Sequence, residues 1–331
     1  MRMSIQVAVT GANGHVGNVV CRELLAQGYR VKAFYQNDAT SLTGLDLELI
    51  QGSVLNKNDV LQLVESCDVV IHCAAIISIN GDPSGMVFKT NTEGSKNVWE
   101  VCVAKAVKRM IHVSSVHAVT ELPHSEAYDE NRPYKTAVDY VYDYSKAFAE
   151  QWLFEAAKNS SVELVVVRPS CVMGPSDFKP SKMGSALIDF YHQKVPLLPK
   201  GGYDLIDVRD VAHSIIRTIE FGENGEVYLL SGNYYSLKAM TQVIQQVTGK
   251  KMPQKTLPFW FLKCCVPFAA MASRITKKSN SLTKESIDAL KHGHPCMNNA
   301  KATSELNHRC RPLEETLHDF YEWQREKKVI I

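Results

Sequence analysis

A surplus of either charge is missing from this chain: 37 Lys and Arg against 35 Asp and Glu leave a formal net charge of +2 over 331 residues. Holding a polyanion takes a basic excess, so nucleic acid is excluded as the expected partner. No apolar run reaches the ~20 residues of a membrane-spanning helix, and there is no internal repeat or low-complexity tract. The opening run Ile5–Val9 is too short for the core of a signal peptide. The nine cysteines are odd in number, scattered through apolar stretches and without a Cys-x-x-Cys pair. They read as reduced thiols in a cytoplasmic compartment rather than as a disulfide framework. With 45% hydrophobic and 22% charged residues, what is left is an ordinary folded protein, long enough for about two domains.

Short β-rich apolar runs alternate with helical patterns through the first half. Strands are expected at Ile5–Val9, Tyr29–Tyr35, Leu47–Gln51, Val69–Cys73, Arg109–Ser114 and Glu163–Val167. Helices are expected at Gly17–Gln27, Asp59–Ser66, Asn91–Ala106 and Val141–Lys158. Continuous apolar strands separated by helices require a parallel sheet covered on both faces, because each crossover lays a helix on the sheet. The expected fold is therefore α/β and doubly wound, with ligands at the carboxyl ends of the strands. Past Arg168-Pro169 the alternation loosens. Residues 1–168 read as a dinucleotide-binding domain and 169–331 as a smaller, α-rich substrate domain that returns one strand, near 226–230, to the sheet. The apolar stretch 257–272 is interrupted by Pro258, Lys263 and Pro267. It leaves three readings open: a helix packed on the second domain, a lid over an apolar substrate, or a weak contact with a membrane interface.

The chemistry begins at Thr10-Gly11-Ala12-Asn13-Gly14-His15-Val16-Gly17, between the first strand and the first helix. Gly11 suits the tight turn, Gly14 the close approach of backbone to a pyrophosphate, and Gly17 the packing of helix on strand. The helix amides then face the phosphates. At the end of the second strand, where an acid would select NAD and an Arg NADP, stand Tyr35 and Gln36, so the cofactor is left as NAD or NADP. Lys32 contributes charge there only if its side chain turns inward. Tyr142-Asp-Tyr-Ser-Lys146 places a phenol and an ammonium one helical turn apart on one face, and a cation beside a phenol favours the phenolate. That suits an acid/base acting while a hydride moves. Ser114 and Ser115 close the preceding strand, where the Ser115 hydroxyl can align a substrate oxygen with Tyr142.

In these motifs the sequence resembles the short-chain dehydrogenase/reductases in their extended form, which includes nucleotide-sugar epimerases and dehydratases, dihydroflavonol-type reductases and 3β-hydroxysteroid dehydrogenases. The likeness also rests on Asp68–Ala75, Asn91-Thr-Glu-Gly94, Arg168-Pro169-Ser170 and Asp207–Ala212, and covers nearly the whole chain. It implies a Rossmann sheet, Ser115, Tyr142 and Lys146 as catalytic residues, and a cofactor held by Gly11, Asn13, Gly14, His15, Val16, Gly17, Tyr35, Gln36, Ala74, Ala75, Tyr142, Lys146 and Pro169. It further implies that Asn91 braces the central strand and that a homodimer forms through the helices near 91–106 and 141–158. Gly52-Ser53 departs from the family's Gly-Asp after the third strand, which puts the adenine contact there in doubt.

The expected activity is an NAD(P)-dependent interconversion of a secondary alcohol and a ketone on an apolar or aromatic small molecule, for which the Ile76-Ile77-Ser-Ile79 loop argues. A nucleotide-sugar epimerase or dehydratase that recycles NAD is the alternative, and a non-catalytic NAD(P)-binding regulator a remoter one. No metal is expected, since His292, His294 and Cys296 lack a second ligand pair. His15 reads as a solvent-side spacer, His112 as a hydrogen-bonded core histidine, Tyr144 as packing or substrate contact, and the repeated spacing Tyr234/Lys238 as structural.

Overall fold

The computed structural model describes residues 5–276 and 282–330. Its first half runs β1 (Gln6–Thr10), α1 (His15–Ala26), β2 (Arg30–Tyr35), β3 (Glu48–Gln51), α2 (Lys57–Val64), β4 (Val69–His72), α3 (Met86–Ala104), β5 (Arg109–Val113), α4 (Val141–Ala157) and β6 (Glu163–Pro169). The second half adds β7 (Cys171–Met173), α5 (Lys182–Tyr191), β8 (Leu198–Pro199), β9 (Gly202–Asp207), α6 (Val208–Phe221), β10 (Val227–Leu230), β11 (Asn233–Ser236), α7 (Leu237–Thr248), β12 (Thr256–Leu257), α8 (Phe259–Thr276), α9 (Lys284–His292), α10 (Ala300–Leu306) and α11 (Leu313–Glu326).

Among the described residues, seven strands form one parallel sheet in the order β10-β6-β5-β4-β1-β2-β3. The chain winds outward from β1 to β3 and then crosses to β4 on the other side. The switch point therefore lies between β1 and β4, where an open sheet of this kind leaves a ligand crevice. Strand alternation divides the core. Val7 and Val9 pack with Val20 and Leu24 of α1 and Ile215 of α6, whereas Ala8 between them faces Val60, Val98 and Leu153 of α2, α3 and α4. Each fully buried Leu or Ile here is worth ~1.5–3 kcal/mol. A separate core joins Leu187, Met240 and Phe320 of α5, α7 and α11 to Leu205, which lies in the three-stranded sheet β11-β9-β7.

The α3 helix begins at Met86, five residues ahead of the start its apolar pattern suggests. The Asp82 carboxylate accepts the Phe88 N–H at 2.9 Å, and Gly85 takes a left-handed φ of 70°, so a local cap extends the first turn. In α8 Trp260 and Phe261 remain exposed while Leu262 is buried, and the side chains of the 257–272 stretch beyond Pro267 lie outside the described residues. No described helix is long and apolar enough to cross a membrane.

One ion pair sits inside this architecture. Arg168 of β6 is 1% exposed and Glu150 of α4 is 0% exposed. The guanidinium donates through Nε at 3.1 Å and Nη2 at 2.6 Å to Glu150 Oε2, and its Nη1 reaches the Glu130 carbonyl at 2.9 Å. Ser114 donates its hydroxyl to the same carboxylate. With its donors and acceptors matched, the pair is tolerated in the interior, but removing one member strands the other charge. Glu150→Ala is expected to lower the unfolding free energy by about 3–5 kcal/mol, read as a fall in the urea midpoint; a loss below 1 kcal/mol would show that the buried Arg168 finds another partner.

Candidate active site

The glycine loop is shaped by its own backbone. Gly11 has a φ of +65°, and a Cβ there would lie 2.8 Å from the Ala74 backbone; a Cβ on Gly17 would lie 2.2 Å from the Gly11 carbonyl oxygen. No larger residue fits either place without moving β1 or β4. Gly14 is the N-cap of α1, with no side-chain cap and no acid in the first turn. The leading amides of a twelve-residue helix are thus left without a protein carboxylate, and they suit an anion. These residues fit a dinucleotide's pyrophosphate.

Three side chains of α4, one turn apart on a single face, meet the three residues that close β5. The Tyr142 phenol is paired with the Ser115 hydroxyl, which lowers its proton affinity, Lys146 donates from Nζ to the Val113 carbonyl at 2.8 Å, and Glu150 takes the Ser114 hydroxyl. Ser115 Oγ also accepts the His117 N–H at 3.1 Å, which leaves its own proton for a neighbour. Burial pushes the Tyr142 phenol up to about 12, opposed by the Ser115 hydroxyl. Burial pushes Lys146 itself down to about 8, opposed by the Glu150 carboxylate.

Beneath the loop runs a polar chain that the sequence did not announce. Thr10 Oγ1 accepts the Ala74 N–H at 3.1 Å and lies 2.7 Å from His72 Nδ1; His72 Nε2 lies 3.0 Å from Ser95 Oγ, which donates to the Asn91 carbonyl at 2.8 Å. Burial, aided by the Lys146 charge, pushes His72 down to about 3. The neutral ring then accepts from Thr10 and donates to Ser95. Asn91 clasps Ile76 through both backbone groups, at 2.8 and 3.1 Å, and donates to Ser145 Oγ at 2.9 Å. It holds the segment after β4 against α4.

The remaining sequence candidates fall as follows. Ala74 and Ala75 follow β4 beside the loop, and Pro169 is buried at the end of β6. Val16 packs against the core under α1. Asn13 donates to the Asp38 carbonyl at 2.9 Å, Tyr35 is half-buried and Gln36 exposed, and Lys32 turns away to the Glu65 carbonyl at 2.8 Å. Gly52-Ser53 meets Asp59, whose carboxylate accepts the Ser53 N–H at 2.9 Å. His15 is no solvent-side spacer: its side chain is 10% exposed, and Nε2 donates to the Pro175 carbonyl at 3.0 Å. Nor is His112 hydrogen-bonded; both ring nitrogens lack a partner, the ring packs 5.5 Å from His72, and burial drives it neutral. Tyr144 stacks on Phe88 at 5.4 Å. Tyr234 and Lys238 lie in β11 and α7, away from the parallel sheet. Both nitrogens of His294 serve backbone groups, the Glu126 carbonyl and the Cys296 N–H, each at 3.2 Å.

Comparison with known proteins agrees with this geometry. The model of the NAD dependent epimerase/dehydratase family matches residues 7–231. Sterol demethylase protein B of Methylococcus capsulatus is 29% identical over 255 residues, 76% of either chain. A Synechocystis protein named "Putative dihydroflavonol 4-reductase" is 28% identical over 326 residues, 95% of this chain and 93% of its own. The crystal structure of gox2253 superposes with a TM-score of 0.85 at 25% identity, covering 99% of this chain and 100% of that one.

Lys146 gives the site a pH signature. Its folded value of about 8 lies below the ordinary 10.5, so the folded chain binds fewer protons between the two. Stability then rises with pH across that window, and the burial cost, on the order of 3 kcal/mol, is fully present below about pH 8. Chemical denaturation of wild type and Lys146→Met is expected to show a variant whose relative stability declines from pH 7 to pH 10; a constant difference would mean that Lys146 titrates normally.

Proposed function

The chain belongs to the NAD dependent epimerase/dehydratase family, an enzyme that uses NAD or NADP, and we propose that it interconverts a secondary alcohol and a ketone on an apolar or aromatic small molecule. The observation that carries the reading is the buried pairing of the Tyr142 phenol with the Ser115 hydroxyl just past β5, on a helix face that continues to Lys146. When bound, the nicotinamide supplies or accepts the hydride. In the reductive direction Tyr142 gives its proton to the substrate oxygen, while Ser115 donates to that oxygen and fixes it against the phenol. A phenol held up near 12 stays protonated at neutral pH, ready to act as the acid. Lys146, anchored on Val113, would hold the ribose of the cofactor.

Apolarity of the substrate is supported by what borders the site. Ile76 and Ile77, 38% and 63% exposed, follow the Ala74-Ala75 segment directly. The same loop lies beside α9, where the Gly81 backbone lowers the proton affinity of Glu285. Asp288 of α9 accepts from Tyr140, at the head of α4, at 2.8 Å and pairs with Lys263 of α8 at 3.1 Å. The exposed Trp260 and Phe261 of α8 thereby belong to a helical pair moored two residues from Tyr142. We assign substrate selection to residues 169–331 on this ground, and cofactor binding and catalysis to 1–168.

The reading is tested by following nicotinamide absorbance with a panel of steroids, dihydroflavonols, simple ketones and sugar nucleotides. Stoichiometric oxidation of NADH or NADPH with an apolar ketone is expected. Conversion of a sugar nucleotide without net change in absorbance would replace this reading by a recycling epimerase. On the accepted substrate, Tyr142→Phe is expected to lower kcat by at least about 10²-fold and Ser115→Ala by about 10²-fold; turnover by Tyr142→Phe within a few-fold of wild type would remove Tyr142 from the chemistry.

A further inference from the structure

The segment joining β7 to α5 is fastened to the first residue of α1 near one end and to α1 and α11 near the other. Gly174 has a φ of 134° and Ser176 a left-handed φ of 63°, so the chain bends sharply twice within three residues. Between the bends, the Pro175 carbonyl accepts from His15 Nε2 at 3.0 Å. Next, Asp177, 2% exposed, lies 4.0 Å from His15 Nδ1. Its two oxygens accept the Ser181 N–H at 3.0 and 2.8 Å, and Ser181 in turn caps α5 through the Gly184 N–H at 2.9 Å. Asp177 is seated so closely that a Cβ on Gly184 would stand 2.0 Å from its Oδ2. The far end is wedged by Phe178, whose ring is edge-on to Trp323 of α11 at 5.1 Å, with the Arg22 guanidinium 5.6 Å and the Lys327 ammonium 5.1 Å from its centroid.

We propose that this strap, residues 174–178, is a latch on the cofactor: held shut by His15 and Phe178, it must lift for the dinucleotide to leave. The inference rests on the seating of the pyrophosphate at the glycine loop. His15 is the first residue of α1, so the strap's carbonyl is tied to the turn whose amides suit the phosphates. An anion on those amides and the bond from His15 to Pro175 share one rigid support. The strap stays seated only while both contacts hold, so losing either the bond to His15 or the seat of Phe178 between α1 and α11 frees it for release. Neither side chain takes part in proton or hydride transfer, so the latch sets how long the cofactor stays without altering the chemistry.

The test is the release of NADH and NADPH from the full-length protein, read by stopped-flow fluorescence on mixing with excess oxidised cofactor. His15→Ala and Phe178→Ala are each expected to speed release at least tenfold. Because both undo one latch, the double variant should release no more than threefold faster than the faster single variant. His15→Gln, which keeps a donor for the Pro175 carbonyl, should stay within threefold of wild type, with melting temperatures confirming that all variants fold. Unchanged release in Phe178→Ala overturns the latch, as do single effects that multiply in the double variant. Gly14→Val separates the two readings: undiminished cofactor affinity in that variant removes the glycine loop as the pyrophosphate seat, whereas lost affinity with unaltered release in the strap variants removes the latch alone.

Discussion

The contact between α4 and the end of β5 is the constraint on which the site depends. Residues 142, 146 and 150 share a face of α4 because a helix repeats every ~3.6 residues, and Val113, Ser114 and Ser115 follow one another where β5 ends. Setting this face against this strand end brings phenol to hydroxyl, ammonium to carbonyl and carboxylate to hydroxyl at once. Only the last is locked from behind, by Arg168 of the neighbouring β6. That guanidinium fixes the rotation of α4 about its axis. A turn of the helix that moved Tyr142 away from Ser115 would also pull Glu150 from Arg168 and leave two buried charges unmatched, a loss far larger than one phenol–hydroxyl bond. The geometry of the candidate site is thus held by an interaction eight residues away, deep between helix and sheet.

The same logic operates on the other side of the cleft. His72 stays neutral because it is buried and because Lys146 is near, and only a neutral ring can accept from Thr10 and donate to Ser95 together. Thr10 ends β1, His72 ends β4, and Ser95 and Asn91 lie on α3. The chain of bonds therefore sets the two strands flanking the switch point at a fixed separation and ties the Ala74 amide and the Ile76 backbone to it. A protonated His72 would offer Thr10 a donor in place of an acceptor, so the low proton affinity of this ring is a structural requirement of the loop above it.

How much of this was legible in the sequence depends on whether local spacing encodes it. The parallel sheet was readable because its strands are continuous apolar runs of β-branched residues, and the glycine loop because Gly11, Gly14 and Gly17 answer steric demands of their own neighbourhood. Tyr142 and Lys146 were readable as a pair one turn apart. Glu150 extends that spacing by another turn, but its role depends on Arg168, 18 residues away, and no local pattern joins an acid in a helix to an arginine in a strand. His15 was misjudged for the same reason: its partner Pro175 is 160 residues distant. His112 was misjudged differently, since a buried imidazole usually has a partner, and here it packs as an aromatic face against His72 instead. His117, two residues past Ser115, went unnoticed: its Nδ1 stands 3.6 Å from Asp143, a meeting that only the fold shows.

Electrostatics and apolarity divide the cleft between them. Near Tyr142 the acids outnumber the bases: Asp143 is buried with Lys135 3.8 Å away, and Lys135 also meets Glu121 at 2.6 Å and Asp139 at 3.9 Å. Burial, reinforced by the Asp143 charge, pushes Glu285 up to about 7, which is what crowded carboxylates do to one another. A substrate that brought further negative charge to this edge would be repelled by it, whereas an uncharged carbonyl compound entering past Ile76 and Ile77 would not. The uncapped amides of α1, by contrast, attract negative charge at the opposite end of the crevice. One open sheet thus presents an anion-seeking end and an anion-averse end. The small net charge of the chain conceals that polarity.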